Sequence, residues 1–198
     1  PALTAMEVDL CMERGSQLIR ELSQRGTNAI LPGEMGIGNS SAAALLYSAL
    51  LGLPLADCVG VGAGHDHAGH ARKKAILARV QARHPGISTP REALAAFGGC
   101  EIAMMAGSML EAASRRMLIM VDGFIATSAL IVAWKINPAV LDYCVFAHAS
   151  GDGPHRLAVN ALGGKPPLDL GMRLGEATGA AMAWPIVRAS VAFLNEMA

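Results

Sequence analysis

The sequence predicts an α/β fold of three layers, α/β/α, around a largely parallel sheet, with a small helical part built from the chain ends. Short apolar runs that suit interior strands, such as Leu118–Val121, alternate with longer stretches of helical spacing. Polar loops follow the strand candidates, at 33–41, 60–67, 122–123 and 148–153. The chain is 53% hydrophobic but only 4% aromatic, so its apolar content is small and aliphatic, as close packing of helices on a sheet requires. In a parallel sheet those loops gather outside the carboxyl ends of the strands, where ligands bind.

Residues 5–25 set Met6, Leu10, Leu18, Ile19 and Leu22 against Glu7, Glu13, Arg14, Arg20 and Glu21, an amphipathic helix that Gly26 stops. A short buried strand over 27–31 leads into a glycine-rich loop and a helix to about Leu51, closed by Gly52 and Pro54. Residues 57–64 read as a short strand or loop. A helix follows from about Ala68 to Arg83, carrying Arg72, Lys73, Lys74 and Arg79, and Pro85-Gly86 breaks it. Thr89-Pro90-Arg91-Glu92 is a capped helix start, with proline at the first helical position. Gly98-Gly99 separates it from a helix over 101–115. A strand at 118–121 delivers Asp122, a helix spans 125–135, and a second strand at 143–147 delivers His148. Helices at 155–162 and 168–174 precede the loop Gly175–Gly179 and a terminal helix to Glu196. The expectation is one domain over 1–198, with 1–26 and 180–198 as the segments that join the small helical part.

Sixteen basic residues balance sixteen acidic ones, so the chain carries neither a nucleic-acid footprint nor a polybasic membrane patch. No apolar run reaches the ~20 residues of a transmembrane helix. Cys11, Cys58, Cys100 and Cys144 are scattered without a CxxC pair; buried free thiols in a reducing compartment, the cytoplasm, are expected. The sequence opens at Pro1 and runs at once into a helix, which points to the later part of a longer protein or a processed one.

The richest stretch is Gly33-Glu34-Met35-Gly36-Ile37-Gly38-Asn39-Ser40-Ser41. Glycines allow a tight turn and close approach to a ligand, Asn39, Ser40 and Ser41 favour helix N-caps, and a helix start suits a phosphate. The same pattern also fits a plain capped turn, and it is neither a Walker loop nor a dinucleotide GxGxxG. Glu34 is the anomaly, because a phosphate repels it; it must point elsewhere or meet a cation. Lys73 reads as a solvated lysine or as a phosphate contact. His65, Asp66, His67 and His70 read as hydrogen-bonded or exposed histidines more readily than as a metal site. Asp122 is placed to cap the next helix, or to meet a ligand at the strand end. Ser150, with His148, His155 and Asp122, raises a hydrolase reading, but the GxSxG elbow is missing. Glu176, in a loop flanked by Leu174 and a small-residue helix, is either a helix-start acid or a general base whose apolar surroundings raise its pKa.

Several stretches, in order, resemble the nicotinate-nucleotide–dimethylbenzimidazole phosphoribosyltransferase family. They are GEMGIGNSSAAAL at 33–45, Ala71-Arg72-Lys73, FGGCEIAMMAGSMLEAASRR at 97–116, VDGFIATSALIVA at 121–133, His148 with Ser150 and His155, and LDLGMRLGEATGAAMAWP at 168–185. The resemblance implies phosphoribosyl transfer from nicotinate mononucleotide to 5,6-dimethylbenzimidazole in cobalamin nucleotide assembly. It implies a homodimer, no cofactor, no metal and no covalent enzyme intermediate. It makes Glu176 the general base and Glu34 an assisting acid whose carboxylate faces the acceptor. Gly36, Gly38, Asn39, Ser40, Lys73, Ser150 and Arg173 handle phosphate and ribose, and Asp122 with Gly123 forms the matching strand-end loop. The sequence departs from the family at Ala63, where a threonine is usual, and at Ala177, where a glycine is usual. Family members also carry a substantial portion before the signature loop, which only residues 1–32 precede here. A non-catalytic nucleotide-binding relative and, last, a metal-dependent hydrolase are the competing readings.

Overall fold

The computed structural model describes residues 1–60 and 67–197. The run 61–66, with His65 and Asp66, and the side chain of His67 lie outside the described residues. The elements are α1 (Ala5–Gln24), β1 (Ala29–Ile30), α2 (Ser40–Leu51), α3 (Leu55–Cys58), α4 (His67–Ala82), α5 (Pro90–Phe97), α6 (Cys100–Ser114), β2 (Leu118–Val121), α7 (Phe124–Ile136), β3 (Cys144–Phe146), α8 (Gly153–Ala161) and α9 (Thr178–Glu196). A 3-10 turn at Pro138–Tyr143 joins α7 to β3.

The predicted α/β class is what forms: a parallel sheet in the order β1-β2-β3, pairing Ala29 with Leu118, Ile119 with Cys144 and Val121 with Phe146. Alternation along β2 divides its residues between two apolar clusters. Ile119 and Val121 enter the large cluster, which takes in residues of α1, α2, α5, α6 and α7. Met120, with Ala147, meets Ala180 and Ala183 of α9. Both faces are therefore covered, as a parallel sheet requires.

Small residues set the helix spacing. A Cβ on Gly15 would lie 2.0 Å from the Met104 carbonyl oxygen, and one on Gly107 would lie 2.1 Å from that of Met12. Helices α1 and α6 thus touch backbone to backbone. Capping boxes start α1 (Thr4 with Glu7) and α5 (Thr89 with Glu92), the second as predicted.

Three expectations fail locally. Residues 55–58 form a short helix after Pro54, where a strand or loop starting at 57 was expected. Residues 168–174 are not helical. They run alongside the 148–151 loop, with the Ala149 amide donating to Leu168 O (2.7 Å) and the Gly151 amide to Met172 O (3.0 Å), and Gly171 takes φ +64°. Tertiary hydrogen bonding to that loop overrides the helical spacing. Of the four free thiols only Cys58 is fully buried, and Cys100 is exposed, because α6 begins at the surface there.

Candidate active site

The segments after all three strands open onto one cavity of about 520 Å³. Its walls are the 32–40 loop, residues 122–126, the 148–152 loop and residues 173–176.

The 33–41 loop is braced by its own acid. Glu34 Oε2 accepts the Gly36 amide (2.6 Å) and a hydrogen bond from Asn39 Nδ2. Asn39 does occupy the N-cap position of α2, but its side chain makes no capping bond. The expected cap amide instead holds the carboxylate, which turns Glu34 back into the loop. This resolves the anomaly of an acid beside a helix start: loop donors occupy one of its oxygens. Ser40 Oγ accepts from Lys73 Nζ (2.9 Å), joining α2 to α4. Burial pushes the Lys73 ammonium below its usual pKa, and the Asp152 carboxylate opposes that shift.

Across the cavity, the 148–152 loop is held from beneath. His155, fully buried, accepts the Ser150 amide at Nδ1 (3.2 Å), so its proton sits on Nε2 and donates to Thr127 Oγ1 (3.1 Å). Burial, reinforced by the neighbouring His148 and Arg156, lowers the His155 pKa to about 4, so the ring is neutral. Ser150 Oγ donates to Met172 O (3.1 Å) and accepts the Asp152 amide (3.2 Å). Its hydroxyl therefore pins the segment carrying Arg173. Among the described residues, no histidine receives the Ser150 hydroxyl proton, which goes to Met172 O, and His148, His155 and Asp122 do not form a hydrolase triad with it. Asp152 lies against Gly60, where a Cβ would sit 2.5 Å from its Oδ1. Burial raises its pKa, while Arg173, Lys73 and His70 pull it back. His70 Nε2 is 3.0 Å from Val59 O. Among the described residues, no group of three His, Cys, Asp or Glu side chains is placed to hold a metal.

The third wall is a strained turn. Gly175, Glu176 and Ala177 take φ of +83°, +57° and +60° in succession. For the two non-glycine residues this costs of order 1 kcal/mol each and persists only where the surroundings impose it. Gly33 lies against the turn: a Cβ there would be 2.8 Å from the Ala177 nitrogen. On the other side Asp122 Oδ1 accepts the Ala180 amide of α9 (2.9 Å). Asp122 thus caps α9, 58 residues on, whereas α7 starts at Gly123 without a side-chain cap. The apolar setting expected for Glu176 is absent, since its side chain stands exposed at the cavity edge.

A family model described as phosphoribosyltransferase matches residues 1–198. The chain belongs to this family. It is 52% identical to the nicotinate-nucleotide–dimethylbenzimidazole phosphoribosyltransferase of Cupriavidus necator over all 198 residues, covering 57% of that protein. It is 54% identical to the enzyme of the same name from Ralstonia nicotianae, again along its full length and covering 56% of the relative. The crystal structure of CobT from Thermus thermophilus superposes with a TM-score of 0.93 at 40% identity, covering 98% of this chain and 59% of that one. The chain therefore spans somewhat over half the length of these phosphoribosyltransferases.

The fold brings Glu34, Gly36, Gly38, Asn39, Ser40, Asp122, Ser150, Arg173 and Glu176 to one cavity. Lys73 lines an adjoining hollow of about 590 Å³ that shares Gly38 and Ser40 with the first, and reaches across through its Ser40 bond. Sequence reasoning missed Asp152. Its signal was present, as the acid of a strand-end loop, but its value comes from Lys73 and Arg173, far away in sequence.

Proposed function

We propose that this cavity transfers phosphoribose from nicotinate mononucleotide to 5,6-dimethylbenzimidazole, as the names of its relatives indicate for them, giving α-ribazole 5′-phosphate and nicotinate. The observation that carries the reading is the meeting, in one cavity, of a helix-start loop with hydroxyl and cationic groups and an uncommitted carboxylate, Glu176. The start of α2, Ser40, Lys73 and Arg173 suit the phosphate. Gly36 and Gly38 leave room for close backbone approach, while Asn39 and Ser150 shape the walls on either side. A ring nitrogen of the benzimidazole attacks C1′ with inversion; the C1′–N bond to the pyridinium breaks, and its electron pair leaves with nicotinate. The N–H proton of the acceptor passes to Glu176, which reaches the cavity edge with both oxygens available. The leaving group is already cationic, so orientation of two substrates supplies the rest of the acceleration.

The same reading makes the working protein a cytoplasmic homodimer. The four unpaired thiols support a reducing compartment. Among the described residues, no helix is long and apolar enough to cross a membrane. The test of the transfer reaction is direct. Purified protein is incubated with nicotinate mononucleotide and 5,6-dimethylbenzimidazole, and α-ribazole phosphate is followed by mass. Stoichiometric nicotinate and ribazole phosphate, unaffected by a chelator, are expected. Nucleotide binding without any turnover would instead favour a non-catalytic relative.

A further inference from the structure

Buried Asp122 has two neighbours that do not belong to any substrate. Its Oδ1 accepts the Ala180 amide at 2.9 Å, and His148 Nε2 lies 3.6 Å from the same oxygen. Helix α9 has no side-chain cap of its own, because its N-cap position is Ala177, which offers no acceptor. Directly before it stand Gly175, Glu176 and Ala177, all left-handed. Gly179 fits into the corner between the two side chains: a Cβ there would be 2.0 Å from His148 Cδ2 and 2.7 Å from Asp122 Oδ1. From the opposite side Gly33 leaves no space beside Ala177. The turn that presents Glu176 closes on itself, with the Thr178 amide (3.0 Å) and hydroxyl (2.6 Å) both donating to Gly175 O, and its place in the cavity wall is set at both ends by residues distant in sequence.

We infer that Asp122 is a positioning residue for the Glu176 carboxylate, acting through its cap on α9 and the seating of Gly179 against His148. The inference rests on the phosphoribosyl-transfer reading, in which Glu176 takes the acceptor proton. Without the cap, the first turn of α9 loses an amide acceptor, and the left-handed run, closed by its own Thr178–Gly175 bonds, is no longer anchored to the strand end. Glu176 then swings out of reach, while Lys73, Ser40 and Arg173 keep their own supports.

The experiment compares Asp122→Ala and Asp122→Asn with Glu176→Gln in the full-length enzyme. Asp122→Ala is expected to lower kcat by about 100-fold, the cost of misplacing a reacting group by an ångström. The KM for nicotinate mononucleotide should stay within about threefold, because the phosphate groups are untouched. Asp122→Asn keeps an oxygen for the Ala180 amide and should recover most of kcat. Amide exchange over residues 178–181 reads the cap independently of turnover: fast in Asp122→Ala, slow in Asp122→Asn and in Glu176→Gln. A raised KM with unchanged kcat would make Asp122 a substrate contact and overturn the proposal. Unchanged exchange in Asp122→Ala would also overturn it, as would an Asp122→Asn enzyme that is equally slow despite protected amides. If Glu176→Gln keeps full turnover, the assignment of the base fails on its own, separately from the exchange result.

Discussion

Of the acid-bearing loops that face the cavity, those at 33–41 and 175–177 are held in different ways. The 33–41 loop is braced from within, its Glu34 carboxylate tied to Gly36 and Asn39 a few residues on. The 175–177 turn is closed through its backbone by Thr178 on Gly175 O, not through its acid, and is gripped from without by Gly33 on one flank and by Asp122 and His148 on the other. The consequence for chemistry is a division of labour. Glu34 has an oxygen committed to structure, whereas the Glu176 carboxylate accepts no hydrogen bond from any described residue and is presented on a constrained backbone. The acid that is free to move a proton is the one whose surroundings do the holding.

The sharpest way to break this contrast is Gly179→Ala. Its new methyl would overlap His148 and crowd Asp122, and overpacking of this kind costs about 1–3 kcal/mol. The midpoint of denaturant unfolding should fall accordingly. Turnover should fall further than that loss explains, by about 100-fold in kcat, because the turn itself is displaced.

Glu34→Ala tests the internally braced loop and should do something different. It strips the Gly36 amide and Asn39 of a charged acceptor, a loss of about 1.5–3 kcal/mol. On the proposed transfer reading this loop serves the nucleotide, so the KM for nicotinate mononucleotide should rise about tenfold, with a smaller change in kcat. A collapse of kcat at constant KM would invert the roles of the two acids.

The smallest effect on turnover concerns the support beneath the 148–152 loop, where the expected change is in stability. Unfolded, the His155 imidazole titrates near 6.5; folded, near 4. Between these values the unfolded chain binds the proton and the folded one does not, so stability is complete above 6.5 and declines as pH falls toward 4. The loss amounts to about 3 kcal/mol at full titration. His155→Gln should lower stability at neutral pH and flatten its dependence on pH over that window, as measured by denaturant midpoints.

Much of the architecture was legible because its signals are local. Thr89, Pro90 and Glu92 announce α5, Gly26 closes α1, and Leu118–Val121 reads as a strand on apolar run alone. The cavity was legible as a prediction that strand-end loops meet. What escaped were partnerships between distant residues. Leu168 to Leu174 have helical spacing, yet their amides and carbonyls serve the 148–151 loop. Asp122, read as a cap on the next helix or a ligand contact at the strand end, caps not that helix but α9, through the Ala180 amide 58 residues on. Glu176 was expected in an apolar niche and stands exposed. Glu34 was read as an acid that must point away from a phosphate, and it does, but the loop donors that hold it, two and five residues on, were not named.

The central claim is that Glu176 removes the acceptor proton while other groups hold the nucleotide. Glu176→Gln tests it most directly, with turnover and nicotinate mononucleotide binding measured on the same preparation. The claim predicts a loss in kcat of at least about 100-fold, as expected when a general base is removed, with the nucleotide dissociation constant unchanged within about twofold. Turnover within a few-fold of the parent enzyme would contradict it.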